Sequence, residues 1–304
     1  MRRSPIQLTI WRGLAASLVL VFVLLAVGCD DGGAAFSGRQ AMNHLRTQVG
    51  FGPRPVGSEA NRRTSDYIAQ VLERNGWQVE FQEFTQGGLP IRNVIATKGT
   101  GPLILLGTHF DTRPVADRDP VDRSQPILGA NDGASGTAVL LELSRVISPK
   151  VTDRYQIMLA FFDAEDRGNL NDWPFSVGAE YMAAHLEIAP RMVIVVDMVG
   201  DAQQEIYYEW NSSLVLMEHI WHIADTLGYS QWFIPRYNHA VIDDHIPFVR
   251  RGYPSVLIID FDYTYWHTTQ DTLERVSADS LQRVGIVLQT LLEGEPFASN
   301  PAAQ

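Results

Sequence analysis

Cysteine is almost absent from this sequence, because Cys29 is the only one in 304 residues. A single thiol cannot form an intrachain disulfide, and it cannot supply the several thiolates of a structural zinc cluster. Positive charge is also in short supply, since 35 acidic residues face 24 lysines and arginines and leave a formal net charge of −11. This balance argues against nucleic acid as a partner and favours a soluble, acidic body.

Two common catalytic motifs are missing as well. The chain has no Gly-x-Ser-x-Gly nucleophile elbow and no glycine-rich phosphate loop. Its single cysteine lies in the N-terminal segment, away from the main body of the chain. We therefore expect the nucleophile of any reaction to be water or part of the substrate.

Residues 1–29 have the layout of an export signal. Arg2, Arg3 and Arg12 flank an apolar run, 14–27, that is short for a transmembrane span. The sequence Ala26-Val27-Gly28-Cys29 resembles the lipobox of bacterial lipoproteins, although alanine stands where leucine is usual. We expect an extracytoplasmic protein tethered to a bacterial membrane by lipid on Cys29, and an uncleaved signal is the alternative anchor.

Beyond the N-terminal segment, apolar strand-like runs alternate with helical patterns. The predicted strands are 79–84, 93–97, 102–108, 155–162, 192–196 and 255–259, and the predicted helices include 38–49, 60–72, 137–147, 214–227 and 277–292. Such alternation predicts an α/β fold with a mostly parallel, mixed central sheet and helices on both faces. We divide the chain into a linker, 30–36, a single domain, 37–297, and a tail, 298–304.

Several of the buried strands are followed by residues that can carry chemistry. His109 and Asp111 follow one strand, the acids Asp163, Glu165 and Asp166 follow the next, and Asp197 follows a third. A glycine-rich loop, 129–136, adds Asp132 before a helix, and its glycines are expected to let backbone approach a bound group. Ligands of α/β proteins bind outside the carboxyl ends of the strands, so these side chains should converge.

Histidine and aspartate donors without sulfur suit a catalytic zinc ion, which takes three protein ligands and leaves one position open. Asp132, Asp166 and His267 would form such a site from two carboxylates and one imidazole. Glu165 could then move protons beside the metal. The alternative is that the acids after the strand are ordinary loop residues.

The same motifs, in chain order, resemble those of the zinc aminopeptidase superfamily. Within it, the run Ile-Asp-Asp-His-Ile-Pro-Phe-Val-Arg-Arg-Gly at 242–252 and Trp-His-Thr at 266–268 are similar to the glutaminyl-peptide cyclotransferases, the glutaminyl cyclases of animals and bacteria. The similarity extends over about residues 38–295. It implies the zinc aminopeptidase-like fold.

The resemblance also implies a role for each matching residue. It assigns one zinc ion to Asp132, Asp166 and His267 and makes Glu165 the general acid/base. Asp197 and Asp243 would form hydrogen bonds near Glu165. Other implied positions are the substrate-pocket tryptophans, Trp173 and Trp266, and the inner-shell residues His109 and Asp111, which leave a second metal position open.

Some of these residues also have a purely structural interpretation. Trp173 and Trp266 could belong to the core, Asp243 could cap a helix, and Asp197 could cap a turn. Two departures from the animal enzymes stand out. Asp166 replaces a glutamate, as it does in bacterial members, and Leu257 replaces a histidine of the proton network, so that part of the network must be absent or rebuilt.

The expected function is the conversion of N-terminal glutamine, in peptides or proteins, to pyroglutamate with release of ammonia. We expect the enzyme to be a monomer with one zinc ion. The main alternative is a two-zinc aminopeptidase, in which His109 and Asp197 complete a second metal position beside Asp132. The remote alternative is a membrane-tethered peptide-binding protein with an inactive site.

Overall fold

The computed structural model describes Met1 and residues 34–294. The predicted export signal, Cys29, most of the linker and the tail 298–304 lie outside these residues. The expectations about membrane attachment therefore stay predictions. None of the described helices combines the length and the apolar character that a membrane span requires.

Helices and strands alternate along most of the described chain. The helices are α1 Gly38–Gly50, α2 Glu59–Arg74, α3 Ala134–Val146, α4 Pro149–Thr152, α5 Val177–Ala184, α6 Leu214–Thr226, α7 Ile246–Arg250 and α8 Ala278–Glu293. The strands are β1 Gln78–Gln86, β2 Leu89–Lys98, β3 Leu103–His109, β4 Gln156–Phe162, β5 Met192–Asp197, β6 Ile206–Glu209, β7 Phe233–His239 and β8 Ser255–Ile259.

Six of these strands form one mixed sheet in the order β1-β2-β4-β3-β5-β8. The pairs β3–β4, β3–β5 and β5–β8 are parallel, so β4, β3, β5 and β8 all end at the same edge. The antiparallel strands β1 and β2 extend the sheet beyond β4. This arrangement confirms the predicted single α/β domain with a mostly parallel, mixed sheet.

The side chains of β3 show why helices cover both faces. Ile104 and Leu106 point into a cluster that includes apolar side chains of α1, α2, α3 and α8. Leu105, between them, packs on the other face with Ala179 and Met182 of α5 and Phe248 of α7. Every residue of β3 is buried, which explains why the sequence shows a continuous apolar run rather than an alternating one.

The start of α2 is fixed by its local sequence. The Ser58 hydroxyl accepts a hydrogen bond from the backbone N–H of Asn61 and so caps the helix. Phe36, the last residue of the predicted linker, is only 3% exposed. Its ring packs against Gly285 of α8, and its N–H donates to Oε1 of Gln289. The packed part of the chain therefore begins before residue 37.

Candidate active site

The parallel edge of the sheet brings Asp132, Asp166 and His267 together. Nε2 of His267 lies 3.0 Å from Oδ1 of Asp166 and 3.7 Å from Oδ2 of Asp132. One donor atom from each of the three residues lies within 4.8 Å of the other two, and all three side chains are buried. Residues separated by more than a hundred positions thus face one common point.

This cluster fits a divalent metal ion. The Oδ2 atoms of Asp132 and Asp166 are buried and have no hydrogen-bond donor in the described part of the chain. Such orphaned acceptors are costly unless a cation satisfies them. Nδ1 of His267 faces Asp117 at 3.2 Å, so Nε2 is the atom turned toward the carboxylates. Two oxygen donors and one imidazole nitrogen form a ligand set that zinc accepts.

A second group of possible ligands shares Asp132. Nε2 of His109 lies 3.2 Å from Oδ1 of Asp132 and 3.0 Å from Oδ1 of Asp197. These three residues also meet the geometry for holding a metal ion. The arrangement therefore has room for either one or two ions, with Asp132 between the two positions.

Asp111 supports the backbone that carries Glu165 and Asp166. Its Oδ1 accepts the backbone N–H of Glu165, and its Oδ2 accepts that of Asp166. It also lies 3.5 Å from Nδ1 of His109. Asp111 therefore holds the turn that follows β4 instead of pointing its carboxylate at the shared ligand position.

Glu165 is buried among other acids. Burial is the largest cause that raises the pKa of Glu165 well above its ordinary range, and the charges of Asp244, Asp166 and Asp243 add to it. Burial and the charge of Asp197 raise the pKa of Asp243 in the same direction. Crowded carboxyls of this kind share protons, which is a property of acid/base sites.

Three residues in the site or next to it in the chain have left-handed backbone conformations. Ala164, Met198 and His267 have φ angles of 62°, 45° and 57°. None is glycine, so each conformation costs free energy that the surrounding structure must supply. These residues precede Glu165, follow Asp197 and carry the imidazole itself, so part of the backbone strain lies where side chains are aimed into the site.

A pocket of about 230 Å³ opens onto these residues. Trp266, Phe175, Phe261, Met198 and Val241 supply apolar surface beside Glu165, Asp197 and Asp243. Trp173 does not line it. The Trp173 ring packs instead beside Gly87, and the guanidinium of Arg167 lies 4.9 Å from its centroid. The aromatic side chain in the predicted place of Trp173 is Phe175, two residues further along.

Several supporting residues were not predicted. Arg113 donates from Nε and Nη2 to the Asp117 carboxylate at 2.8 Å each, and Asp117 in turn faces His267. Asp271 accepts hydrogen bonds from the backbone N–H groups of Asn131 and Asp132. It therefore fixes the loop that carries Asp132, the ligand common to both candidate metal positions. The loop 112–128 is rich in acids and arginines, and no spacing rule indicates which of them reaches the site.

The buried guanidinium of Arg54 joins two loops of the site. It donates to the carbonyls of Phe110, Leu128 and Gly129. Burial lowers its pKa to about 10. A positive charge fixed here partly balances the cluster of acids around it.

Two glycines of the 129–136 loop allow a close approach of neighbouring backbone. A Cβ on Gly133 would collide with the carbonyl of Asp111. A Cβ on Gly136 would collide with the carbonyl of Val196 and the hydroxyl of Thr108. The close approach is therefore between α3 and the strands β3 and β5, and it brings Asp132 to the sheet edge. The expected approach of this loop to a bound group stays a prediction.

Leu257 stands where the animal enzymes are expected to have a histidine of the proton network. It is fully buried in apolar surroundings on β8. The neighbouring polar network is built differently. The N–H of Leu257 donates to Ser212, whose hydroxyl donates to Glu209, and Nε2 of the buried His245 lies 3.1 Å from the same carboxylate. The pair of His245 and Glu209 therefore lies beside β8, but its histidine does not occupy the position of Leu257.

The chain was also compared with known proteins. It is 25% identical to a glutaminyl-peptide cyclotransferase-like protein of Bos taurus over 279 residues, which cover 79% of this chain and 71% of that one. The crystal structure of Tannerella forsythia glutaminyl cyclase superposes with a TM-score of 0.80 and 32% identity, over 86% of this chain and 100% of that chain. A Zn-dependent exopeptidase from Parabacteroides distasonis gives a TM-score of 0.81 and 30% identity, over 86% and 99%.

These similarities agree with the resemblance carried by the sequence motifs and with the zinc aminopeptidase-like fold. The profile of peptidase family M28 matches residues 93–292, which contain all the candidate metal ligands. The match covers about two thirds of the chain. The protein is therefore a member of peptidase family M28.

Proposed function

We propose that this protein is a zinc-dependent glutaminyl cyclase, which converts the N-terminal glutamine of peptides or proteins to pyroglutamate. The observation that carries the proposal is the small pocket in which Glu165 lies between an apolar wall and the three candidate ligands. Relatives and solved structures named as glutaminyl cyclases support it.

The reaction needs no nucleophile from the enzyme. The substrate's own α-amine attacks the Cδ atom of its side-chain carboxamide, the Cδ–N bond breaks, and ammonia leaves. A tethered nucleophile has a high effective concentration once the pocket holds the chain in a folded-back conformation. This chemistry agrees with the lack of a nucleophilic motif in the sequence.

Each group of the pocket then has a defined task. Trp266 and Phe175 enclose the uncharged side chain and exclude water. Glu165 accepts a proton from the α-amine and delivers it to the departing nitrogen. Asp243, with which it is crowded and whose pKa is also raised by burial, keeps a proton within the site. A zinc ion held by Asp132, Asp166 and His267 would polarise the carboxamide carbonyl and stabilise negative charge on its oxygen.

One observation favours a second candidate. The group formed by His109, Asp132 and Asp197 could hold another ion, and one of the similar structures is a Zn-dependent exopeptidase. A two-metal site would activate water and remove the N-terminal residue by hydrolysis. The small volume of the pocket and the raised pKa of Glu165, caused by burial and by the acids around it, favour the cyclase.

An assay on the purified chain separates the two. A glutaminyl peptide is incubated with the protein, and ammonia, free amino acids and peptide mass are followed together. We expect the peptide to lose ammonia and to keep all of its residues. A chelator should inhibit this activity, and added zinc should restore it. Release of free glutamine, or of leucine from a leucyl peptide, would instead identify an exopeptidase. Metal analysis should give about one zinc per chain, against about two for the alternative.

We also infer that the enzyme is exported and tethered to a bacterial membrane. The basic residues before the apolar run and the position of Cys29 support this inference. The Cys29→Ser variant should lose incorporation of a labelled fatty acid and leave the membrane fraction. Retention of Cys29→Ser in the membrane without label would identify an uncleaved signal as the anchor. The expectation of a monomer remains to be tested by light scattering.

A further inference from the structure

A groove of about 520 Å³ adjoins the active-site pocket. Phe175, Ile242 and Asp243 line both, so the two spaces share a wall. The groove runs between the end of β1, the helix α5 and the segment 242–250 that contains α7. The groove is therefore the space next to the pocket that a peptide extending past Ile242 would enter.

The walls of the groove are mainly aromatic and aliphatic, although Glu180 and Arg250 also line it. The rings of Phe84 and Tyr181 are stacked, with centroids 3.9 Å apart and an interplanar angle of 5°. Ile246 and Pro247 form part of the lining from α7, and Ile242 is 65% exposed beside them. Exposed surface of this kind is stabilised when an apolar side chain covers it.

The groove has more than twice the volume of the active-site pocket. The active-site pocket, at about 230 Å³, is smaller than the range of roughly 300–1,000 Å³ that is usual for ligand pockets. It fits a single small side chain such as glutamine. The groove lies within that range and fits the residues that follow.

The active-site pocket also borders another open space, on the side of Phe261 and Trp266. That space is lined by charged and polar residues, including His239 and Asp262, together with aromatic rings. The guanidinium of Arg118 lies 3.9 Å from the centroid of the Trp266 ring and covers one of its faces. Apolar side chains of a bound peptide are therefore better accommodated on the opposite side.

We propose that the groove binds the second and third residues of a peptide substrate and selects a large apolar side chain there. The proposal rests on the cyclase function inferred above and adds a specificity to it. Tyr181, Ile242 and Ile246 are the residues that would contact such a side chain. The glutamine occupies the pocket, and the peptide continues past Ile242 into the groove.

The test compares the cyclisation of three peptides: Gln-Gly-Gly-Gly, Gln-Phe-Gly-Gly and Gln-Gly-Phe-Gly. We expect at least one of the phenylalanine peptides to have a kcat/KM about tenfold higher, since burial in an apolar site discriminates on this scale. The gain should come from a lower KM with little change in kcat, because the groove contacts the substrate in the ground state and transition state alike.

Two variants locate the effect. Tyr181→Ala alters the groove alone, and Ile242→Ala removes an exposed side chain whose loss is not expected to disturb folding. Both should abolish the advantage of phenylalanine over glycine. Val215→Ala is the matched control, because Val215 on α6 is also 65% exposed but lies outside the groove and the pocket. It should keep the full advantage.

The outcomes are distinguishable from failure of the cyclase itself. Absence of cyclisation with all three peptides would overturn the proposed function and, with it, this inference. Cyclisation at equal efficiency for the three peptides would overturn the groove alone. A preference for phenylalanine that survives both groove variants but is lost in Arg118→Ala would place the peptide on the other side of the pocket, and would also overturn it.

Discussion

Asp117 and His267 are paired across the active site, with Oδ1 of Asp117 lying 3.2 Å from Nδ1 of His267. Arg113 holds Asp117 from its other side through two hydrogen bonds. The same guanidinium donates from Nη1 to the carbonyls of Asp166 and Gly168. One arginine therefore connects two of the three candidate ligands, and the carboxylate that it orients fixes the direction of the imidazole.

The Asp117→Asn variant tests this arrangement. The amide keeps the shape of the side chain but removes the charge that orients His267 and pairs with Arg113. We expect zinc affinity to fall by about 10- to 100-fold, as is typical for residues that support metal ligands. Competition with a chromophoric chelator measures the affinity directly. The control is Asp122→Asn on the same loop, where the exposed carboxylate accepts from Ser124 and Gln125. Equal affinities of the parent and Asp117→Asn would contradict the role.

The Glu165→Gln variant separates proton transfer from folding and metal binding. Turnover should fall by about 10²–10⁴-fold, the usual contribution of a general acid/base. The melting temperature should not fall, because the change removes a buried carboxyl whose pKa is raised by burial and by Asp244, Asp166 and Asp243. Zinc affinity should also stay near that of the parent. Full turnover in this variant would show that Glu165 does not carry the proton, and the exposed Glu187→Gln serves as control.

Two nearby aromatic residues allow a direct comparison. Phe175 lines the pocket, whereas Trp173 packs beside Gly87 and contacts Arg167. Phe175→Ala should therefore raise KM for a glutaminyl peptide. Trp173→Ala should lower the melting temperature while leaving KM nearly unchanged. Kinetics and thermal unfolding measured on both variants decide the question, and a larger KM effect for Trp173→Ala would restore the assignment made from the sequence.

The fold was largely predictable because its signals are local. A fully apolar run such as 192–196 can be a buried strand, and Ser58 before a helical pattern is an N-cap that needs no tertiary information. Strand ends of a parallel sheet meet at one edge, so the convergence of Asp132 and Asp166 followed from topology alone. The position of His267 followed from the same rule.

The rest depends on distances across space that no spacing in the sequence records. The partners of Asp117 are Arg113, four residues away, and His267, 150 residues away, and nothing in the loop 112–128 marks that choice. Trp173 and Phe175 lie in a segment where Asn171, Asp172 and Ser176 have positive φ angles. Such irregular backbone decides which aromatic ring enters the pocket, and periodicity cannot predict it.

The stability of the protein should depend on pH through Asp260. Burial raises the pKa of Asp260 to about 7 from an ordinary 3.8, although its carboxylate accepts the N–H of Glu205. Between these two pH values the folded state holds a proton that the unfolded state has lost. The free energy of unfolding therefore falls as pH rises from about 4 to about 7.

The Asp260→Asn variant should lack this contribution. Relative to the parent, it should gain on the order of 1–3 kcal/mol of stability at about pH 8 and little at about pH 4. Urea unfolding of both proteins at each pH gives the difference between their free energies of unfolding. The contributions of other titrating groups are common to both proteins and cancel in this difference. The exposed Asp172→Asn is the control and should show no such trend. A constant difference between parent and Asp260→Asn across this range would show that Asp260 does not titrate as described.

The contact between α3 and the sheet can be tested with a single methyl group. In an open helical position, replacing glycine by alanine stabilises a protein by about 0.5–1 kcal/mol. Gly50, near which a Cβ would meet nothing within 4 Å, should behave in this way. At Gly136 the same methyl would meet the backbone carbonyl of Val196, which cannot move without shifting β5. We expect Gly136→Ala to lose about 1–3 kcal/mol of unfolding free energy and to bind zinc more weakly, because a shift of α3 displaces Asp132. Equal stabilities of the two alanine variants would show that α3 does not need this close approach to position the ligand.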